Sequence, residues 1–142
     1  MSYFEVKIKC DRIQEDGSEK KVTESYLVDA LTFTEAETFI VKEALSCSNG
    51  DFDVVSITKT KITELIDSND AKADKWYKCK AIFLTIDERT SKEKKNSVYY
   101  LVLGNDLGTA KARLVEFMKG SCSDYELVKI EETPIMDVYK YE

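Results

Sequence analysis

The chain reads as one segment written twice, and this repeat constrains its fold more than any other feature. Shifted by 73 or 74 residues, the two halves align. Tyr3-Phe4 falls on Trp76-Tyr77, Lys7 on Lys80, Ile13 on Ile86 and Lys20-Lys21 on Lys94-Lys95. Tyr26-Leu27-Val28 falls on Tyr100-Leu101-Val102, Ala36 on Ala110 and Val41 on Val115. Asp51-Phe52 falls on Asp124-Tyr125, Ile57 on Ile130, Thr60 on Thr133 and Ile62 on Ile135. A sustained match at one period predicts a structural unit built twice. Units of about 65 residues lie near the lower size limit for independent stability, so the halves are expected to share one core.

Each repeat reads as strand, strand, helix, strand. Phe4, Val6, Ile8 and Cys10 alternate with Glu5, Lys7, Lys9 and Asp11, the period of a half-buried strand. Glu15 to Glu19 is a hairpin connection, and Val22 to Ala30 returns as the second strand. Thr34-Glu35-Ala36-Glu37 fits a capping box ahead of a helix with Ala36, Phe39, Ile40 and Ala44 on one face. Ser48-Asn49-Gly50 closes it, and Phe52 to Lys61 is the third strand. The second repeat follows with Trp76–Asp87, Ser97–Leu103, a helix capped at Asn105-Asp106 and carrying Leu107, Ala110, Leu114 and Phe117-Met118, and Tyr125–Glu132. The expected fold is α+β: tandem duplicated β-β-α-β repeats, residues 1–66 and 76–142, joined by the polar linker 67–75 in a single domain. A mainly antiparallel sheet would carry both helices on one face.

The absence of histidine removes the usual acid–base group near neutral pH and the commonest zinc ligand. No glycine-rich phosphate loop is present. Asp67-Ser68-Asn69-Asp70 resembles the start of a calcium loop but lacks its glycine and terminal glutamate at the required offsets. The expectation is therefore a protein that is not an enzyme and holds no metal or cofactor. The four cysteines, Cys10, Cys47, Cys79 and Cys122, have no C-x-x-C spacing and are expected to stay reduced, with a Cys47–Cys122 disulfide as the lesser alternative. No apolar run is long enough to span a membrane, and the N-terminus lacks a secretory pattern, so a cytoplasmic location is expected. Net charge is −6, with −5 in residues 1–66 and 0 in residues 76–142, a poor balance for duplex DNA.

Three features point to a ligand. Lysines recur at both predicted hairpins, Lys20-Lys21 and Lys92, Lys94, Lys95. Lysines also line the outer face of both first strands, at Lys7, Lys9, Lys78 and Lys80. Tyr3 and Trp76 are out of phase with the inward set and are the candidates to stack on a base. The candidate ligand-binding residues are Lys7, Lys80, Lys20, Lys94, Tyr3 and Trp76. Solubilising hairpin tips, sheet packing and protection of strand edges explain the same residues without a ligand.

Glu19 to Ala30 followed by Phe33-Thr34-Glu35-Ala36-Glu37, together with Trp76-Tyr77-Lys78-Cys79-Lys80 and Glu132 to Tyr139, carries a resemblance. The chain resembles a family of short proteins of unknown function from gut anaerobic bacteria and their phages. The resemblance spans essentially the whole chain and brings no established activity. It implies a bacterial or phage origin. The leading expectation is a non-catalytic binding protein, homo-oligomeric, holding a small anionic ligand such as a nucleotide, in a phage setting a host signalling nucleotide. The alternatives are an adaptor docking a protein through its sheet face and, behind it, a small enzyme working with carboxylates and lysine.

Overall fold

The computed structural model describes residues 2–47, 52–68, 73–120 and 124–139. It contains β1 (Ser2–Ile13), β2 (Glu19–Ala30), α1 (Phe33–Cys47), β3 (Phe52–Lys59) and β4 (Ile62–Ile66). The same order then recurs as β5 (Lys75–Ile86), β6 (Glu93–Gly104), α2 (Leu107–Met118), β7 (Asp124–Glu132) and β8 (Ile135–Tyr139). Each repeat therefore has one strand more than expected. Cys47 and Cys122, and the Ser48-Asn49-Gly50 helix end, lie outside the residues whose side chains are described.

The α+β class and the predominance of antiparallel pairing hold, but the sheet count does not. In place of one sheet there are two four-stranded sheets, ordered β3-β1-β2-β8 and β4-β6-β5-β7. The first strands pair antiparallel with their hairpin partners and with the third strands. The fourth strands are exchanged: β8 adds parallel to β2, and β4 adds parallel to β6. Two compact units result, Met1–Thr60 with Pro134–Glu142, and Lys61–Thr133. Their boundaries do not follow those of the repeats.

The exchange begins at a matched pair of threonines. In the first unit, the Thr60 N–H and hydroxyl both donate to the Tyr3 carbonyl, at 2.9 and 2.7 Å. At the equivalent place, the Thr133 N–H and hydroxyl donate to the Trp76 carbonyl, at 3.0 and 2.8 Å. These bonds tie off β3 and β7 against the starts of β1 and β5. Buried Ile62 and Ile135 then open the exchanged strands.

Each unit has its own cluster of buried residues. In the first, Phe4, Val6, Ile8 and Cys10 from β1 and Val28 and Ala30 from β2 meet Ala36 and Ile40 of α1. In the second, Tyr77, Cys79, Ala81, Tyr100 and Val102 meet Ala110, Leu114 and Met118 of α2. Burying a residue such as Ile40 or Leu114 contributes about 1.5–3 kcal/mol, which is why the helical stripe settles on its own sheet. Leu107 and Phe117 were expected on that stripe; both are exposed, although the Phe117 ring still meets Tyr100 edge-on at 5.9 Å. Thr32 rather than Thr34 caps α1, its hydroxyl accepting from Glu35 N–H at 3.1 Å. At the equivalent position, Asp106 caps α2 by accepting from Thr109 N–H at 2.7 Å.

Candidate functional site

In the second unit, alternation along β5 sends Tyr77, Cys79 and Ala81 toward α2 and leaves Lys78 and Lys80 on the other face. Tyr99 of β6 lies opposite Lys80 and shares that face. On β7 the register shifts between the partners of Lys80 and Ala81: Lys129 pairs with Lys80, Leu127 pairs with Ala81, and Val128 is the extra residue of a bulge. Without the bulge, Lys129 would keep the phase of Tyr125 and Leu127 and point toward the helix. The bulge turns Lys129 and Glu131 onto the lysine face, the re-aiming of side chains that one extra residue in a strand produces.

The five residues Lys78, Lys80, Tyr99, Lys129 and Glu131 line a cavity of about 240 Å³. The Lys78 and Lys80 ammonium groups stand 5.2 and 5.8 Å from the Tyr99 ring centre, within cation–π range. Lys129 Nζ pairs with Glu131 at 3.2 Å, and both side chains remain partly solvated, so the pair holds the lysine loosely. The set is a shallow cationic recess with an aromatic floor.

Of the six candidate ligand-binding residues, only Lys80 lines this recess, joined by Lys78 from the same lysine stripe on β5. Lys7 sits at the equivalent place on β1, between Ser25 of β2 and Ser56 of β3. The equivalents of Lys78, Tyr99, Lys129 and Glu131 are Glu5, Ser25, Ser56 and Thr58, so the first unit cannot form the same recess. Lys20 and Lys94 are exposed near the hairpin ends, opposite Arg12 and Thr85. Tyr3 is partly buried and holds Thr60 through its carbonyl. Trp76, expected to be exposed, is only 6 % accessible and offers no stacking surface. Lys129, Glu131 and Tyr99 were missed. A signal for Lys129 existed: the apolar residues Tyr125, Leu127 and Ile130 break alternation by one position, as Phe52, Val54 and Ile57 do.

The first unit carries a different polar cluster. Buried Glu24 accepts from Arg12 Nη2 at 2.5 Å, Arg12 Nε at 3.3 Å, Tyr26 OH at 3.1 Å and Cys10 Sγ at 3.3 Å. Burial disfavours the charged carboxylate, but these donors and the guanidinium charge outweigh it and hold Glu24 below its ordinary value. Burial and the neighbouring carboxylate push the Cys10 thiol up, making it a poor nucleophile. Burial alone raises Cys79 to about 11. Both cysteines are free. The equivalents in the second repeat are Phe83 for Cys10, Thr85 for Arg12 and Val98 for Glu24, so the cluster is a packing solution particular to one unit. A second cavity of about 290 Å³, lined by Asp29, Ala30, Glu35, Thr38, Phe39 and Lys42, mixes acidic, basic and apolar groups without a dominant charge. Among the described residues no cluster of cysteine and carboxylate side chains could hold a metal ion, and no helix is long and apolar enough to cross a membrane.

The family model described as a domain of unknown function, DUF4494, matches residues 2–141, and the chain belongs to that family. Neither the curated proteins nor the solved structures contain a match.

Proposed function

We propose that this DUF4494 protein is a non-catalytic binding protein whose ligand is a small anion such as a nucleotide, held at the recess of Lys78, Lys80, Tyr99 and Lys129. One observation carries the reading: three lysines from two strands meet on one sheet face around a cavity, and a bulge brings the third into place. Flexible ammonium groups suit a ligand bound by charge. The protein's net charge of −6 disfavours long polyanions and leaves small ones. In this reading the protein acts in a bacterial cytoplasm, or a host cytoplasm when phage-encoded. There it sequesters a nucleotide, and self-association multiplies the recess.

Calorimetry and thermal shift with mono-, cyclic and oligonucleotides test the proposal. Lys80→Ala and Lys129→Ala should each weaken binding about fivefold, the Coulomb value for one charge near 4 Å in water-like surroundings. Lys119→Ala, which breaks only the exposed Lys119–Glu116 pair, should not. No heat and no shift with any member of the panel would sink it. An adaptor then gains ground, docking through its edge strands instead of the sheet face first expected, since β3 and β7 expose their bulge valines, Val55 and Val128, to a partner strand.

A further inference from the structure

Resting on that reading of the recess, we infer that it recognises a compact, multiply charged phosphate group such as pyrophosphate or the diphosphate end of a nucleotide. The base is left unread. The lining holds three lysines and one glutamate, a formal charge of +2 that a polyvalent anion balances better than a monoanion. Lys80 and Lys129 are direct cross-strand neighbours, and Lys78 lies two residues from Lys80 on the same face. Cross-strand neighbours stand about 5 Å apart and same-face neighbours about 7 Å, a triangle that long ammonium stems can close onto one or two phosphate groups.

Nothing in the lining reads a base. Tyr99 is its only aromatic ring, and the Lys78 and Lys80 ammonium groups already stand over it. Neither stacking candidate from the sequence, Tyr3 or Trp76, belongs to the lining, and Trp76 is buried. The lining contains no asparagine or glutamine to pair with a base edge, and its only carboxylate is engaged by Lys129. The recess also falls below the roughly 300–1,000 Å³ typical of pockets that enclose a whole small molecule, so it takes one end of a nucleotide. Glu131 sets the charge. It draws Lys129 aside and adds a negative charge next to the anion.

The test is calorimetry on the full chain with inorganic pyrophosphate, the diphosphates of adenosine, guanosine and uridine, the three unphosphorylated nucleosides, and sulfate. Pyrophosphate and the three diphosphates should bind within about threefold of one another, the nucleosides should not bind, and sulfate should bind at least about tenfold more weakly. Glu131→Gln, an isosteric change on a partly exposed edge-strand residue, should tighten pyrophosphate about fivefold by removing one nearby charge. Far-UV circular dichroism confirms that the variant is folded. A preference of more than about tenfold for one base, binding of a bare nucleoside, or sulfate as tight as pyrophosphate overturns the inference and leaves the recess as a ligand site of another kind. Unchanged pyrophosphate affinity in Glu131→Gln overturns the assignment to this recess. No binding by any phosphate compound overturns both this inference and the anion-binding proposal beneath it.

Discussion

Replacing Arg12 by threonine, the residue that stands at the equivalent place in the second repeat, tests the polar cluster of the first unit. The Arg12 side chain is 31 % exposed and that of Glu24 10 %, so their ion pair is neither fully solvated nor fully buried. Exposed pairs contribute about 0–1 kcal/mol, and stranding one member of a buried pair costs about 3–5, so an intermediate loss of about 2 kcal/mol is expected for Arg12→Thr. Adding Glu24→Val, which completes the change to Thr85 and Val98, removes the stranded carboxylate. The double variant should then recover part of that loss, because no buried carboxylate is left unpaired, while the Tyr26 hydroxyl and Cys10 thiol give up their acceptor. Urea denaturation followed by circular dichroism measures the global effect. Trapping of the Cys10 thiol, which is buried in this unit, reports the local one. The pH dependence supplies a second check. Glu24 is held below its ordinary value, so its stabilising contribution is complete above the usual carboxylate range and disappears as pH falls through the lowered folded value. The deficit of Arg12→Thr should therefore shrink in acid, where protonated Glu24 no longer needs the guanidinium. A single variant as stable as wild type, or a double variant showing the sum of two separate losses, would refute the reasoning.

Thr60→Val and Thr133→Val should each cost about 1 kcal/mol, the net value of one lost hydroxyl hydrogen bond, and a chemical denaturation series should find the two losses similar. Ser91 occupies the left-handed region at φ 56° in the turn between β5 and β6, so Ser91→Gly should raise stability by about 0.5–1 kcal/mol in the same assay. Gly104→Ala should lower stability by about 1 kcal/mol, since the added methyl would meet Ala110 N at 3.2 Å and α2 would have to yield. Binding of pyrophosphate should weaken steadily with added salt, and a titration unchanged between low and high ionic strength would contradict a charge-based site.

Local periodicity made much of this protein legible. The alternation of Phe4, Val6, Ile8 and Cys10 identified the face that meets α1, and the match at 73 or 74 residues identified a second unit of the same order. Both rest on side chains whose burial recurs with the pitch of their own strand or helix. The exchange of β4 and β8 was not legible, because each is five residues long and its partner is chosen by backbone hydrogen bonds that are the same for every sequence. Identities at Thr60/Thr133 and Ile62/Ile135 marked the place without naming the partner strand. The recess was half legible. Lys78 and Lys80 follow from alternation on β5, whereas Lys129 reaches them only because the bulge at Val128 reverses its face. Trp76 shows the converse: its phase set it apart from the inward residues of β5, but phase does not determine exposure, and the folded chain buries it. The sequence alone determined which residues share a face. Only the tertiary structure decided which faces are covered, which strand completes each sheet, and that one repeat carries a lysine recess while the other carries a buried carboxylate, because those outcomes depend on neighbours far away in the chain.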